Sequence, residues 1–394
     1  MTKPEMTKKG QFFDYSMLII VLVLVAFGLV MVYSTSSYSA AQKSGDAAFY
    51  FKKQLKSTMI GLVCLFGTTL IPYQKWYKLA PVLYIMSVIS VFLVLTPFGQ
   101  EFNGARRWIN VGFSIQPAEV VKLCIVITLA AFACYSGKYM AKMKNNLIYI
   151  ALALVPAGVI FVVTNNLSSA IIVVGIAYIM LIVSNPKPAW IYLVTGVIVI
   201  AVVVFLAVFF KSAGNGGELG FRFKRLLAWK NPEDYASGTG YQTLQALYAI
   251  GSGGFFGKGL GQSIQKLGFI PEAQNDMIFS VVCEELGLFG GICLIVLFIL
   301  LIYRFMMIAN NAPDLFGSLL VVGVLAHIAI QVILNIAVVT NSIPNTGVTL
   351  PFISYGGTSV CFLMAEMGIV LNVSRQIRVP ATVSKRKKEL NEYA

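Results

Sequence analysis

The chain has 394 residues, of which 58% are hydrophobic and only 12% are charged, and its formal net charge is +14. Soluble domains carry about 25% charged residues, so this composition excludes a soluble protein and predicts an integral membrane protein. The positive charge does not indicate nucleic-acid binding, because the basic residues are scattered among short segments between apolar runs, as membrane topology places them.

Ten apolar runs approach the roughly 20 residues that a membrane-spanning helix needs. In chain order they are 16–35, 57–72, 79–97, 117–135, 147–163, 168–184, 190–210, 277–303, 315–340 and 351–373. Lys and Arg are more frequent in the segments that a cytoplasmic N-terminus would place inside, which favours that orientation. We therefore predict an all-α integral membrane protein of about ten transmembrane helices over residues 1–378, with both termini cytoplasmic and a basic cytoplasmic tail at 379–394.

This topology leaves one large extracellular loop, residues 211–276, which is too short and too rich in glycine to hold a core of its own. Within it, Leu244, Leu247 and Tyr248 recur at helical spacing and predict a short amphipathic helix on the outer membrane surface. The run GSGGFFGKGLG follows. So many glycines either let the backbone approach another segment closely or simply form tight turns.

The six cysteines and the single histidine, His327, lie inside the apolar runs, and no two cysteines form a CxxC pair. We interpret the cysteines as small buried side chains rather than as disulfides or metal ligands. His327 is interpreted as a hydrogen-bonded core residue.

Charged residues at two places near the third and fourth runs call for an explanation. Arg106 and Arg107 lie in the external segment NGARRWINVG, and two adjacent guanidinium groups suit a pyrophosphate. Glu119 and Lys122 are three residues apart in SIQPAEVVKL, so they share a helix face and can pair. A self-neutralising pair and a functional pair are both open interpretations.

Three carboxylates mark the start of the eighth run, IPEAQNDMIFSVVCEELG. Asp276 would lie at the helix N-terminus, either as an N-cap or as a general base that the helix dipole keeps ionised near neutral pH. Glu284 and Glu285 lie roughly 12–14 Å deeper and about 100° apart around the helix, so they face different partners. At least one is expected to pair with a buried cation such as Lys122, in a structural role.

The last run contains three helix-breaking residues, Pro351, Gly356 and Gly357, in the segment TGVTLPFISYGGTSV. Irregular backbone at membrane depth is tolerated only where protein or a water-filled cavity covers it. The segment therefore predicts either close packing of small residues or a polar cavity that opens to the outside.

Five motifs in this order resemble the SEDS family (shape, elongation, division and sporulation), whose members include FtsW, RodA and SpoVE. They are GARRWI, SIQPAEVVKL, YQTLQALYAIGSGGFFGKGLGQSIQK, PEAQNDMIFSVVCEELG and TGVTLPFISYGGTSV. The resemblance covers about residues 14–378, and GVTLPFISYGG is most similar to the division branch, FtsW. One departure is TNNLSS at 164–169, where many members have QPDLGT, so Asn166 replaces an aspartate.

The resemblance implies a peptidoglycan glycosyltransferase that polymerises lipid II at the outer face of the bacterial cytoplasmic membrane, with Asp276 in the position of the family's essential aspartate. Transfer from an α-linked pyrophosphate to a β-1,4 glycan is one inversion, which needs one general base. We expect Asp276 to be that base. The predicted substrate contacts are Arg106, Arg107, Glu119, Lys122, Arg225, Lys258 and Ser354.

No residue set in the sequence predicts a metal cage, so a divalent cation (Mg²⁺ or Mn²⁺) would be held largely by the pyrophosphate. The resemblance also implies partners: a class B penicillin-binding protein, other division proteins and membrane lipids, at the division septum. The alternatives are a lipid II flippase or transporter without catalytic chemistry, an elongation-type protein like RodA, and a scaffold that only recruits partners.

Overall fold

The computed structural model of the chain describes residues 13–102, 105–110, 112, 114–212 and 221–377. Each of the ten predicted runs overlaps a helix. The helices are α1 Tyr15–Ser44, α2 Phe49–Leu70, α3 Gln74–Phe92, α4 Pro117–Ser136, α5 Met143–Thr164, α6 Leu167–Ser184, α7 Ala189–Ser212, α8 Phe221–Lys230, α9 Tyr241–Gly253, α10 Ile278–Asn310, α11 Leu315–Val339 and α12 Thr358–Arg375.

Seven of these helices, among the residues that the structure describes, are long and apolar enough to cross a membrane: α1, α3, α4, α5, α6, α10 and α11. This confirms an all-α multi-pass membrane protein. The other three predicted spans lie on α2, α7 and α12, and a total of about ten transmembrane helices stays a prediction. The most buried of the seven, α4 and α11, form the centre of the bundle.

Helices α2 and α12 pack closely through small residues. A methyl group added at Gly368 would lie 2.0 Å from the Thr68 hydroxyl oxygen and 2.2 Å from the Leu65 carbonyl oxygen. The Thr69 hydroxyl donates a hydrogen bond across the same contact to the Gly368 carbonyl, at 3.3 Å. Such small-residue contacts let helix backbones approach where no hydrophobic effect drives them together in lipid.

A small antiparallel sheet connects α3 to α4, in a segment where the sequence predicts only a loop. Its strands are β1 Gly99–Phe102, β2 Ala105–Asn110 and β3 Ser114–Ile115, in the order β1-β2-β3. Strand pairing provides hydrogen-bond partners for backbone N–H and C=O groups that an irregular loop would leave unpaired. The pairing of β1 with β2 shifts register between Gln100 and Glu101, so Arg107 is the extra residue of a β-bulge between Arg106 and Trp108.

A kink at Gly287 divides α10 into two parts and receives the glycine-rich segment that follows α9. Gly287 has φ 69° and ψ −171°, which interrupts the helical hydrogen bonds. The carbonyls of Glu284 and Glu285 instead accept from the backbone N–H groups of Lys258 and Gly259, at 3.0 and 2.9 Å. A methyl group added at Gly257, which has φ +79°, would lie 2.2 Å from the Glu285 carbonyl oxygen. Gly257 therefore serves close approach of two backbones, whereas Gly261, with φ +82° and nothing within 4 Å of an added methyl group, serves a turn, so both predicted interpretations apply within the run.

Helix α9 confirms the predicted short helix, but its environment includes α10 as well as the surface. Leu244 is buried and Tyr248 is 54% exposed. At its C-terminal end, a methyl group on Gly253 would lie 2.0 Å from the Cys283 carbonyl oxygen. The predicted large loop thus contains α8 and α9, and α9 is packed against α10 rather than only lying on a membrane surface.

The return segment, residues 340–357, joins α11 to α12 without helical structure. The predicted start of the last span at residue 351 is therefore wrong, because α12 begins at Thr358. Pro351, Gly356 and Gly357 break the helix as expected, and Phe352 adopts a positive φ of 64°. Protein covers the segment: a methyl group at Gly28 of α1 would lie 2.2 Å from the Phe352 carbonyl oxygen. This matches the requirement that irregular backbone in a membrane be shielded.

Candidate active site

Asp276 lies just before α10, and the structure does not use it as a helix cap. The N-cap residue is Met277, which makes no side-chain capping bond, so the N-cap interpretation of Asp276 is wrong. The carboxylate is half-buried and accepts one long hydrogen bond, 3.4 Å from Gln242 Nε2 on α9. No Lys or Arg nitrogen within the described ranges comes within 4 Å of it.

The return segment forms the other side of this site. A methyl group added at Gly347 would lie 3.7 Å from Asp276 Oδ2, and Gly347 has φ +69°. The side chain of Asn345 donates to Gln242 Oε1 at 3.0 Å. Asn335 of α11 donates to the Asp276 carbonyl oxygen at 2.7 Å. The carboxylate is therefore enclosed by α9, α11 and the return segment.

Arg225 brings positive charge toward Asp276, and Arg107 is bonded to the residues that join α5 to α6. Arg225 of α8 donates to the Asn345 carbonyl at 3.2 Å, and its charge acts to lower the pKa of Asp276. Arg107 donates to the carbonyls of Thr164 and Asn165, at 3.2 and 3.1 Å. Burial and the charge of Arg225 lower the pKa of Arg107. The structure thus places Arg225 on the return segment that faces Asp276, and Arg107 on the residues that join α5 to α6.

Burial raises the pKa of Asp276 from 3.8 to about 6, and the charge of Glu272 acts in the same direction. A hydrogen bond from the backbone N–H of Asp276, the charge of Arg225 and the Gln242 hydrogen bond oppose the rise. The expected effect of a helix N-terminus, a depressed pKa, is therefore outweighed by desolvation. The carboxylate is still mainly ionised at neutral pH, and its pKa lies near the value that suits a general base.

The other predicted contacts lie in different surroundings. Arg106 is exposed beside Glu101, with the charged atoms 3.7 Å apart. Lys258 Nζ lies 2.7 Å from Glu284 Oε1. The Ser354 hydroxyl is buried and accepts from the Leu350 N–H at 2.8 Å, so it supports a turn of the return segment. Substrate contact by these three residues stays a prediction.

Glu119 and Lys122 pair as predicted, at 2.6 Å, and both are buried. They belong to a larger polar cluster inside the bundle. Lys122 Nζ donates to Gln331 Oε1 at 3.2 Å, and the same oxygen lies 3.0 Å from His327 Nε2. His327 Nδ1 lies 2.9 Å from Glu366. The expectation of a hydrogen-bonded core histidine is confirmed, and this cluster is separate from the Asp276 carboxylate.

The expectation that at least one deep glutamate pairs with a buried cation is confirmed, but that cation is Lys266 and the named example, Lys122, is wrong because it pairs with Glu119. Lys258 pairs with Glu284, and Lys266 pairs with Glu285 at 2.8 Å. Both lysines belong to the segment between α9 and α10, which folds against the α10 kink and supplies the charges locally. The inference that the two glutamates face different partners is confirmed.

No group of three or more His, Cys, Asp or Glu side chains in the described part of the chain is arranged to hold a metal ion. A divalent cation brought in with the pyrophosphate stays a prediction.

Comparisons with known proteins address the family directly. The family model described as "Cell cycle protein", which covers FtsW, RodA and SpoVE, matches residues 14–379. The chain belongs to this family. The SEDS resemblance found in the five motifs is thereby confirmed.

Relatives of this SEDS chain match over nearly their whole lengths. Stage V sporulation protein E of Bacillus subtilis (strain 168) is 39% identical over 377 residues, which are 95% of this chain and 100% of that protein. The probable peptidoglycan glycosyltransferase FtsW of Trichlorobacter lovleyi is 37% identical, over 95% of this chain and 96% of that protein.

Solved structures share the fold. One chain, from the structure described as "Structural coordination of polymerization and crosslinking by a peptidoglycan synthase complex", matches with a TM-score of 0.75 and 28% identity, over 93% of this chain and 98% of that chain. The rod shape determining protein RodA of Thermus thermophilus matches with a TM-score of 0.67 and 25% identity, over 93% and 98% of the two chains.

Asn166, the departure from the SEDS pattern, caps α6: its Oδ1 accepts from the Ser169 N–H at 3.0 Å. Asparagine serves an N-cap as well as aspartate does. Sequence reasoning missed Gln242, Asn335 and Asn345 around Asp276. Gln242 lies inside the motif YQTLQALYAIGSGGFFGKGLGQSIQK, and Asn345 directly precedes TGVTLPFISYGGTSV. Asn335 lies four residues after Gln331 and eight after His327 on α11, a polar spacing that could have identified it.

Proposed function

We propose that this protein is a peptidoglycan glycosyltransferase that polymerises lipid II into β-1,4 glycan strands. The observation that carries the proposal is the enclosed, ionisable carboxylate of Asp276, which has no ion-pair partner in the described part of the chain and lies in the electrostatic field of Arg225. Relatives that are named probable peptidoglycan glycosyltransferase FtsW support it.

In the proposed reaction, Asp276 accepts the proton of the acceptor's 4-hydroxyl group. The acceptor oxygen forms a bond to C1 of the donor N-acetylmuramic acid, while the bond from C1 to the pyrophosphate oxygen breaks. The product inverts at C1, and no covalent enzyme intermediate is required. Undecaprenyl pyrophosphate leaves with the bonding electron pair, and we assign Arg225 and Arg107 to stabilise its charge.

A lipid II transporter is the second candidate, and one observation favours it. The buried cluster of Glu119, Lys122, His327 and Glu366 lies among membrane-spanning helices, where ionisable side chains often mark transport pathways. The enzyme interpretation gives the Asp276 carboxylate a role as the base, whereas a transporter does not require a base at that position.

We further propose that the Asp276 end of the bundle faces outward from the bacterial cytoplasmic membrane, with both termini inside, and that the protein works with a class B penicillin-binding transpeptidase. The solved peptidoglycan synthase complex supports such a partner. The motif GVTLPFISYGG supports a division role at the septum. A fluorescent fusion that follows the lateral wall or the forespore instead would assign an elongation or sporulation role.

Polymerisation in vitro tests the activity. Wild type and Asp276→Ala are purified with and without the transpeptidase, supplied with lipid II in detergent, and compared by the glycan ladders on a gel. Ladders from the wild type alone are expected. Ladders from both proteins would keep the enzyme and remove Asp276 as the base. If neither makes ladders with the partner present, lipid II transport across vesicles tests the second candidate.

A further inference from the structure

Three polar side chains form a row along α11, one every four residues: His327, Gln331 and Asn335. Each is at most 2% exposed. Eight residues of α-helix span roughly 12 Å, so the row runs from the interior of the bundle toward the Asp276 end. Polar groups at such depth are costly unless they are hydrogen-bonded, and each of these three makes hydrogen bonds to a different helix or segment.

Asn335 bonds to the segment that carries the Asp276 carboxylate and to the return segment that faces it. Its Nδ2 donates to the carbonyl oxygen of Asp276 at 2.7 Å and to that of Val348 at 2.7 Å. Val348 follows Gly347, where an added methyl group would lie 3.7 Å from Asp276 Oδ2. One amide group therefore holds the backbone of the proposed base against the backbone that faces it.

Gln331 extends this connection into the bundle. Its Nε2 donates to the Thr349 carbonyl oxygen at 3.0 Å, next along the return segment from Val348. Its Oε1 accepts from Lys122 Nζ. Gln331 thus holds the return segment without contacting Asp276, which separates its role from that of Asn335.

We propose that Asn335 is a positioning residue for the transfer reaction: its amide fixes the backbone of Asp276 relative to Gly347, so that the carboxylate keeps the orientation that the acceptor hydroxyl requires. The inference rests on the proposed function of Asp276 as the base. Without the amide, two buried carbonyl groups lose their donor, and the segment before α10 can move away from the return segment. A displacement of about 1 Å can lower a rate by about 100-fold.

The test compares Asn335→Leu, which keeps the volume and removes the donor, with Asn372→Ala as a matched control. Asn372 is also a buried asparagine; it donates to the Thr69 carbonyl oxygen at 2.7 Å and accepts from the Tyr73 N–H at 2.9 Å, away from Asp276. Rates of lipid II polymerisation are expressed per folded protein, and the pH dependence of kcat is measured for each variant.

We expect kcat of Asn335→Leu to fall about 100-fold with a smaller change in KM. The midpoint of its pH profile should move from about 6 toward 3.8, because the released carboxylate is better hydrated. Glu272 and Arg225, the charged groups that face Asp276, are unchanged in the variant. Asn372→Ala should melt at a lower temperature with an unchanged midpoint.

An Asn335→Leu protein with the kcat and midpoint of the wild type would overturn the proposal. If Asn335→Leu does not fold, Asn335→Gln, which keeps the amide and displaces it by one methylene, carries the same comparison. An active Asp276→Asn variant would instead overturn the base itself. An inactive Asp276→Asn beside a normal Asn335→Leu would remove only the positioning role.

Discussion

Asp276 and the pair Glu284–Glu285 lie on the same stretch of chain, but their surroundings differ in kind. Each glutamate is fully buried and bonded to a lysine at 2.7 or 2.8 Å. Asp276 is half-buried, with one hydrogen bond of 3.4 Å to its carboxylate. Buried charges are stable when they are paired and hydrogen-bonded, so the glutamates can hold the α10 kink in place. A carboxylate without such a pair costs stability and stays free to exchange a proton.

The largest expected effect is the loss of stability when a buried glutamate loses its lysine partner. Lys266→Met leaves Glu285 buried with only the Ser34 hydroxyl as a side-chain partner, and we expect it to lower the free energy of unfolding by about 3–5 kcal/mol. Thermal unfolding in detergent measures the loss.

The double variant Lys266→Met/Glu285→Leu serves as the control and should recover most of this stability, because no unpaired charge remains. Lys258→Met should cost less, since Glu284 keeps bonds from Ser263 and from the Ile264 and Gln265 N–H groups. Equal losses for the two lysine variants would contradict the assigned difference.

The next effect tests whether the glycine-rich segment holds the kink through backbone approach. Gly257→Ala is expected to cost about 2–4 kcal/mol, from its left-handed conformation and from overpacking against the Glu285 carbonyl. Gly261→Ala is the matched control: Gly261 has φ +82° but nothing lies within 4 Å of an added methyl group. A similar loss for both variants would show that backbone conformation, and not close approach, explains the glycine at 257.

The pH dependence of polymerisation tests whether Asp276, the carboxylate without an ion-pair partner among the described residues, acts as the base. A base with a pKa of about 6 must be deprotonated to act, so the rate should fall about tenfold per pH unit below pH 6 and be constant above it. Initial rates across pH 4.5–8, with folding checked at each pH, give the profile. A flat profile over that range would count against a titrating carboxylate of this pKa.

The smallest expected effect comes from Glu272, which is exposed. Its charge raises the pKa of Asp276, so Glu272→Gln should move the midpoint of the pH profile to lower pH. The shift should be well below one unit, because solvent screens an exposed charge. A shift to higher pH would contradict the assigned sign.

Much of the fold could be predicted from the sequence because its signals are local. Apolar runs predicted the helices, the three-residue spacing of Glu119 and Lys122 predicted their ion pair, and the prolyl and glycyl residues at 351, 356 and 357 predicted a break. The sheet between α3 and α4 was missed because its strands are short and show no clear alternation.

The partners of the site residues could not be predicted in the same way. Lys266 reaches Glu285 only because the glycine-rich segment folds back on the α10 kink, and Asn335 reaches Asp276 across 59 positions of chain. Such contacts depend on the packing of whole helices. The identity of Asp276 as a candidate base came from its motif, whereas its elevated pKa comes from burial that only the fold reveals.

The most direct test of the difference between Asp276 and the paired glutamates measures polymerisation and thermal stability on one sample of Asp276→Asn. The raised pKa means that the folded state binds more protons than the unfolded state between pH 3.8 and about 6, so the ionised carboxylate lowers stability at neutral pH. We therefore expect Asp276→Asn to make no glycan from lipid II while melting at or above the wild-type temperature at pH 7.5. Glycan synthesis at the wild-type rate, or loss of activity that follows loss of folded protein, would contradict the account.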